Sequence, residues 1–198
     1  ERGRCMESAV LRATLSRERF ASTYCDLPLE AVDGLLTLAE PLRLYPVRPP
    51  PCINLLGEVE EARDLVFEDG FTLVGLRPEQ LRRGSELGAS QVSLREACML
   101  RGAPEGGFDG SWALRPDVNI RGGVALRFPN LSELPAGSAV SLYVLGGLDT
   151  LMPDGSYLEE GHWGRFGIGE VSGDGSVIHS AEDALLPSLT WFAYRAVD

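Results

Sequence analysis

Short runs in which apolar and polar residues alternate, separated by Gly, Pro, Asn and Asp, fill the last third of the chain. They are Gly123–Phe128, Ala139–Leu145, Trp163–Val171, Ser176–His179 and Leu189–Tyr194. Successive side chains of a strand face opposite sides of a sheet, so runs of this length and period predict an all-β fold. The expected architecture is an antiparallel β-sandwich, Ig-like or jelly-roll-like. Such a fold hosts many functions and dictates none.

The same alternation occurs earlier, at Ala9–Leu15 and Gly34–Tyr45, and the run Pro46-Val47-Arg48-Pro49-Pro50-Pro51 follows. Consecutive prolines favour an extended, semi-rigid connector. The proline run divides the chain into a first β unit, residues 1–48, and a sandwich domain, residues 49–198, unless it is a crossover within one domain. Beyond it, Cys52–Leu56 and Arg63–Phe67 read as strands, and Asp69-Gly70 predicts a hairpin into Phe71–Val74. Pro78–Arg83, closed by Gly84, predicts one or two helical turns. Gln91–Leu100 reads as a strand, and Arg101–Gly110 as a loop.

With 18 basic residues, all of them Arg, against 29 acidic ones, the chain carries a net charge of -11. Phosphate backbones demand concentrated positive charge, so nucleic acid is not an expected partner. No apolar run approaches the length needed to cross a bilayer as a helix. The chain begins Glu1-Arg2-Gly3-Arg4 rather than with Met, which reads as a processed form or a fragment of a longer polypeptide. Cys5, Cys25, Cys52 and Cys98 are even in number and contain no Cys-x-x-Cys pair, so zinc-ribbon and redox motifs are not predicted. Cys5, Cys25 and Cys52 lie beside charged or proline-rich, turn-like sequence rather than in apolar stripes. Two disulfides of undetermined pairing, and hence an exported protein, are the expectation; buried free thiols are the alternative.

Residues able to do chemistry are few. His162 and His179 are the histidines, and Ser180, His179 and Asp183 can be written as a triad. Neighbours on a strand point to opposite faces, which argues against a direct contact between His179 and Ser180. Glu159, Glu160 and His162 are donors of metal-ligand type but crowded into four positions. Asp149, Asp154, Glu159 and Glu160 are oxygen donors suited to Ca²⁺, without the spacing of a calcium loop. Neither Gly102–Gly107 nor Gly164–Gly169 completes a nucleotide-binding motif. Trp112, Trp163, Trp191 and Tyr194 offer flat rings that either stack on sugars or pack the core.

The stretch Gly122–Tyr143, containing Pro129 and Leu134-Pro135-Ala136-Gly137-Ser138, resembles a repeated unit of the β-sandwich modules of large bacterial surface and secreted proteins. Trp163, Val171–Ile178 and Leu189–Phe192 then fill the places of that unit's Trp-bearing strand, Gly-rich hairpin and terminal aromatic strand. The likeness spans roughly residues 119–194. It is also distantly similar to the sandwich module shared by ankyrins and netrin receptors, some of which cleave themselves at a Phe-Ser bond; no Phe-Ser dipeptide occurs here. Ala9–Tyr45 is similar to the end of a carboxypeptidase-regulatory-like β domain. The resemblance implies a spacer, display or adhesion role in a multi-domain exported protein at a cell surface, with no catalytic residues to transfer. Other protein domains are the expected partners, glycans the alternative, and no cofactor is expected apart from the Ca²⁺ alternative above. A carbohydrate-binding accessory domain using Trp112 and Trp163 is the alternative, and a hydrolase with His162 or His179 as base stands behind both.

Overall fold

The computed structural model describes residues 8–13, 20–28, 43–49, 61–81, 87–94 and 101–197. These are almost wholly β, about 50% strand and 2% helix, with antiparallel sheets curled into a half-barrel of the sandwich-like class. The strands are β1 (Ser8–Ala13), β2 (Phe20–Ala21), β3 (Thr23–Pro28), β4 (Tyr45–Pro46), β5 (Arg63–Val66), β6 (Thr72–Leu76), β7 (Gly88–Val92) and β8 (Gly110–Arg115). They continue as β9 (Asn119–Pro129), β10 (Ala139–Leu145), β11 (Trp163–Val171), β12 (Val177–Ser180), β13 (Leu186–Ser188) and β14 (Trp191–Ala196). One sheet runs β5-β6-β9-β12-β11-β10-β14-β8-β7, with β13 beside β9; β1 pairs with β3 and β2 with β4.

The predicted turns form where their residues demand. At Asp69-Gly70 the Phe67 N–H donates to Phe71 O at 2.8 Å, and Gly70 takes φ 84°, a conformation costly for any residue with a Cβ. Pro78 opens a single 3-10 turn, Pro78–Gln80. In the β11–β12 turn, the Asp174 carboxylate accepts the Ser172 hydroxyl at 2.6 Å, the Ser176 N–H at 3.0 Å and the Ser176 hydroxyl at 2.8 Å. These bonds hold its pKa at about 2, against an ordinary 3.8. A depressed carboxylate stabilises the fold above its unfolded value and loses that effect as pH falls through the folded one. Asp174→Asn is therefore expected to narrow its stability gap from the parent as pH drops from 3.8 toward 2, read by acid titration of Tm.

Alternation along β8 and β14 builds two apolar layers. Trp112, Leu114, Phe192 and Tyr194 point into the concave core with Phe71, Leu126 and Phe128. Ala113, Trp191 and Ala193 point the other way, into a second cluster with Ala21, Tyr24, Tyr45, Val47, Leu145 and Trp163. A strand buried on both faces has no polar side, which is why Trp191–Tyr194 reads as four consecutive buried residues. The described parts of residues 1–48 thus pack on the convex side of the sheet. Tyr45 meets Trp191 edge-on at 4.9 Å between centroids, and the Trp191 indole N–H donates to Ser22 O at 2.7 Å.

The two ends of the long sheet path approach one another. The Gln91 N–H of β7 donates to Asp69 Oδ2 at 2.7 Å in the β5–β6 turn, and Arg48, which bridges Ala89, pairs with Glu68 at 2.8 Å. This partial closure shields part of the β7 edge, an otherwise aggregation-prone template.

Candidate functional site

The longest excursion between neighbouring strands in the described second half of the chain is the β10–β11 loop, residues 146–162. It carries Asp149, Asp154, Glu159, Glu160 and His162, and it ends at Trp163. Hydrogen bonds close its neck: Gly146 N–H donates to His162 O at 2.7 Å and Gly161 N–H to Gly146 O at 2.8 Å. Above the neck, Leu151 and Tyr157 form an isolated antiparallel bridge, flanked by Leu158 N–H to Thr150 O and Met152 N–H to Ser156 O, both at 2.9 Å. At the tip Asp154 Oδ1 accepts from Ser156 N–H at 2.9 Å and its hydroxyl at 2.6 Å, which holds the Asp154 pKa below the usual carboxylate value.

Side-chain alternation gives this miniature hairpin an inner and an outer face. Met152 and Leu158 pack against the concave core, and Thr150 is fully buried. Directly opposed residues of an antiparallel pair share a face. Leu151 and Tyr157 accordingly stand together on the other side, 45% and 73% exposed, and Leu148 at the loop's entry is 57% exposed. Six large hydrophobic residues are exposed among the described ones, and three of them sit on this loop. Scattered exposed apolar residues need no explanation, but their concentration on one well-bonded loop does.

The predicted acids do not converge. Glu159 lies 3.8 Å from Arg101 and 3.6 Å from His162 Nδ1, while Glu160 lies 3.7 Å from Arg12. Asp149, at φ 59°, lends its carbonyl to the Asn119 side-chain amide at 2.7 Å. Among the described residues no group of three or more His, Cys, Asp or Glu is placed to hold a metal ion. With Glu159 and Glu160 facing arginines and Asp154 bonded to Ser156, added Ca²⁺ or a chelator is expected to leave Tm unchanged; a calcium-dependent rise would place an ion on the loop.

The tryptophans lie elsewhere than a sugar platform requires. Trp112 and Trp191 are 0% exposed and Trp163 5%, because each sits at an inward position of a strand between apolar layers. Stacking on a sugar needs an open ring face, so Trp112 and Trp163 are packing residues, and of the two readings of these rings the packing one holds. Phe108 covers Trp163 at 4.6 Å between ring centroids. The written triad also dissolves: Ser180 Oγ accepts the Leu126 N–H at 2.9 Å, and His179 is exposed between Glu170 and Arg127 in the sheet register. Cys5, Cys52 and Cys98 lie outside the described residues, and Cys25 is described only as backbone of β3. No helix among the described residues is long and apolar enough to cross a membrane.

One polar cluster was not legible in the sequence. The Tyr24 hydroxyl donates to Asp117 Oδ2, and Arg12 lies 3.6 Å from the same oxygen and 3.7 Å from Glu160. Burial pushes the Asp117 pKa up, partly offset by the Tyr24 hydrogen bond and the Arg12 charge; burial and the Asp117 charge push Tyr24 up as well. A carboxyl raised in the folded state stabilises fully below its unfolded pKa and loses that contribution as pH rises through the folded one. Asparagine at this position keeps an acceptor for Tyr24 without a buried charge. Asp117→Asn is therefore expected to gain stability relative to the parent as pH climbs from 3.8 to neutrality, measured by urea denaturation at several pH values. A flat difference across that range would remove the buried charge from the account. Arg12 and Tyr24 are cross-strand partners, but Asp117 lies 93 positions beyond Tyr24 and 105 beyond Arg12, and nothing local marks the cluster.

A shallow groove of about 320 Å³ lies at the β7–β8 end, lined by Gln91, Leu94, Phe108, Asp109, Ser111 and Leu131 among others. It gathers no set of groups resembling catalytic machinery. Comparison with protein-family models, with curated proteins and with solved structures finds no match.

Proposed function

We propose that the chain is a non-catalytic β-sandwich module of an exported protein, serving adhesion or display, and that it meets its partners through the β10–β11 loop. One observation carries the reading: Leu151 and Tyr157 are held in solvent by a loop whose inner face, Met152 and Leu158, is anchored to the core. Binding residues fall disproportionately on loops positioned by a rigid scaffold. Support for a non-catalytic role comes from Ser180, whose Oγ accepts the Leu126 N–H as part of the sheet rather than facing a histidine. The net charge of -11 favours a soluble, well-dispersed surface. Export is supported by the four cysteines, whose number and setting suit an oxidising compartment.

The test is location and redox state together. In cells making the full-length protein, a membrane-impermeant biotin reagent is expected to label it without lysis. The purified native protein should show fewer than four reactive thiols until it is reduced. Labelling only after lysis, with four reactive thiols in the native sample, would overturn export.

A further inference from the structure

The character of the partner can be read from the same loop. A contact surface formed by a loop is weak if the loop must first be ordered, because each immobilised side chain costs roughly 0.5–1.5 kcal/mol. Here the ordering is already present in the free chain. The neck is closed through Gly146, Gly161 and His162, the bridge sets Leu151 against Tyr157, and Asp154 braces the tip through Ser156. An exposed tyrosine beside a leucine is the kind of pair that supplies anchoring contacts at protein interfaces, since Tyr presents a large amphipathic face with few rotatable bonds.

Charge then selects among the surfaces such a pair can meet. Between Gly146 and His162 the chain has four carboxylates, Asp149, Asp154, Glu159 and Glu160, and no Lys or Arg. Glu159 and Glu160 are faced by Arg101 and Arg12 at the neck, whereas Asp149 and Asp154 are exposed near the apolar crest. No arginine of the described ion pairs faces those two. A second copy docking crest to crest would bring these carboxylates together, on molecules each carrying -11. Anionic lipid and nucleic acid meet the same repulsion. A cationic protein surface meets the opposite.

We propose that the Leu151–Tyr157 hairpin is a docking knob for a protein partner that offers an apolar depression ringed by Arg or Lys. Leu151 and Tyr157 fill the depression, and Asp149 and Asp154 face its basic rim. This rests on the reading of the chain as a binding module.

The proposal is tested by selecting random dodecapeptides, displayed on phage, against the intact chain. Recovered peptides should combine aromatic or aliphatic residues with Arg or Lys. Their binding should weaken about tenfold or more on Leu151→Ser/Tyr157→Ser, and less steeply on Asp149→Asn. It should also weaken with rising salt, because exposed charges are screened. An unchanged Tm would show that both variants remain folded, as expected for exposed positions. Failure to recover binders, recovery of acidic peptides, or binding indifferent to the double substitution would each overturn the proposal. So would stronger binding to phosphatidylcholine vesicles containing phosphatidylserine, or self-association in sedimentation that the double substitution abolishes. Cell-surface labelling is independent of all these outcomes, so failure of export and failure of the knob are separately visible.

Discussion

Trp112→Ala is expected to destabilise the fold by about 3–5 kcal/mol, a large share of the roughly 5–15 kcal/mol that holds a typical domain together. The indole is 0% exposed and lies within ring-contact distance of Phe71, Phe128, Phe192 and Tyr194, with centroids 5.4 Å apart for the first two. Its removal leaves a cavity bounded by rings on β9, β14 and the turn leading into β6, and cross-strand hydrogen bonds keep those strands from collapsing inward. Trp112→Phe should cost much less. It keeps most of the ring and removes the buried indole N–H, which has no hydrogen-bond partner. Urea denaturation of the two variants checks this, and a loss below about 1 kcal/mol for Trp112→Ala would contradict so central a place in the core.

Gly146→Ala is the second large effect, expected at about 1–3 kcal/mol. A Cβ at Gly146 would overlap the Glu159 carbonyl and crowd Leu158, both on the returning limb of the loop. The obstacle is backbone, so it cannot swing aside as a long side chain would. Relief requires opening the neck, which breaks the bonds of Gly146 to His162 and of Gly161 to Gly146. The knob would then lose its order while Leu151 and Tyr157 remain chemically intact. Limited proteolysis should show new cleavage between Gly147 and Gly161 in the variant and none in the parent. Gly155→Ala is the contrasting case: its Cβ would meet nothing nearby, although φ 83° leaves some backbone strain.

Strand β10 is the run Ala139–Leu145 read from alternation, and β11 is Trp163–Val171; both edges agree even though a bulge opposite Leu142/Tyr143 shifts the alternation of β11 between the two apolar layers. Asp69-Gly70 was equally plain, since its turn chemistry is local. Strand β8 carries no clear periodic signal, because Trp112 and Leu114 give only two apolar beats before Pro116. Strand β13 is hidden in the sequence because Pro187 stands in its middle, tolerated where only Leu186 and Ser188 pair with β9. Strand β9 starts at Asn119, ahead of Gly122 and Gly123, whose φ values of 76° and 68° belong to an irregularity inside a strand rather than to its end. For Gln91–Leu100 the described strand is Gly88–Val92, and residues 95–100 lie outside the described set.

At the site, the loop itself was legible and its chemistry was not. The acids Asp149, Asp154, Glu159 and Glu160 drew attention as metal donors, yet distant Arg12 and Arg101 reach two of them, and spacing along a chain does not show distant partners. Leu148, Leu151 and Tyr157 drew none. Apolar residues among Gly, Pro and Asp look alike in sequence whether they turn inward, as Met152 and Leu158 do, or outward. Only the bridge between Leu151 and Tyr157 sorts the two sets.

An apolar crest matters only if the loop that carries it is ordered without a partner, and residue-resolved hydrogen exchange on the free chain measures that order directly. The amides of Gly146, Met152, Leu158, Gly161 and His162 donate within the loop and should be protected to a degree approaching that of β10. Exchange of these five amides at the rate of an unstructured peptide would contradict the account, because the crest would then be a floppy excursion and not a built binding surface.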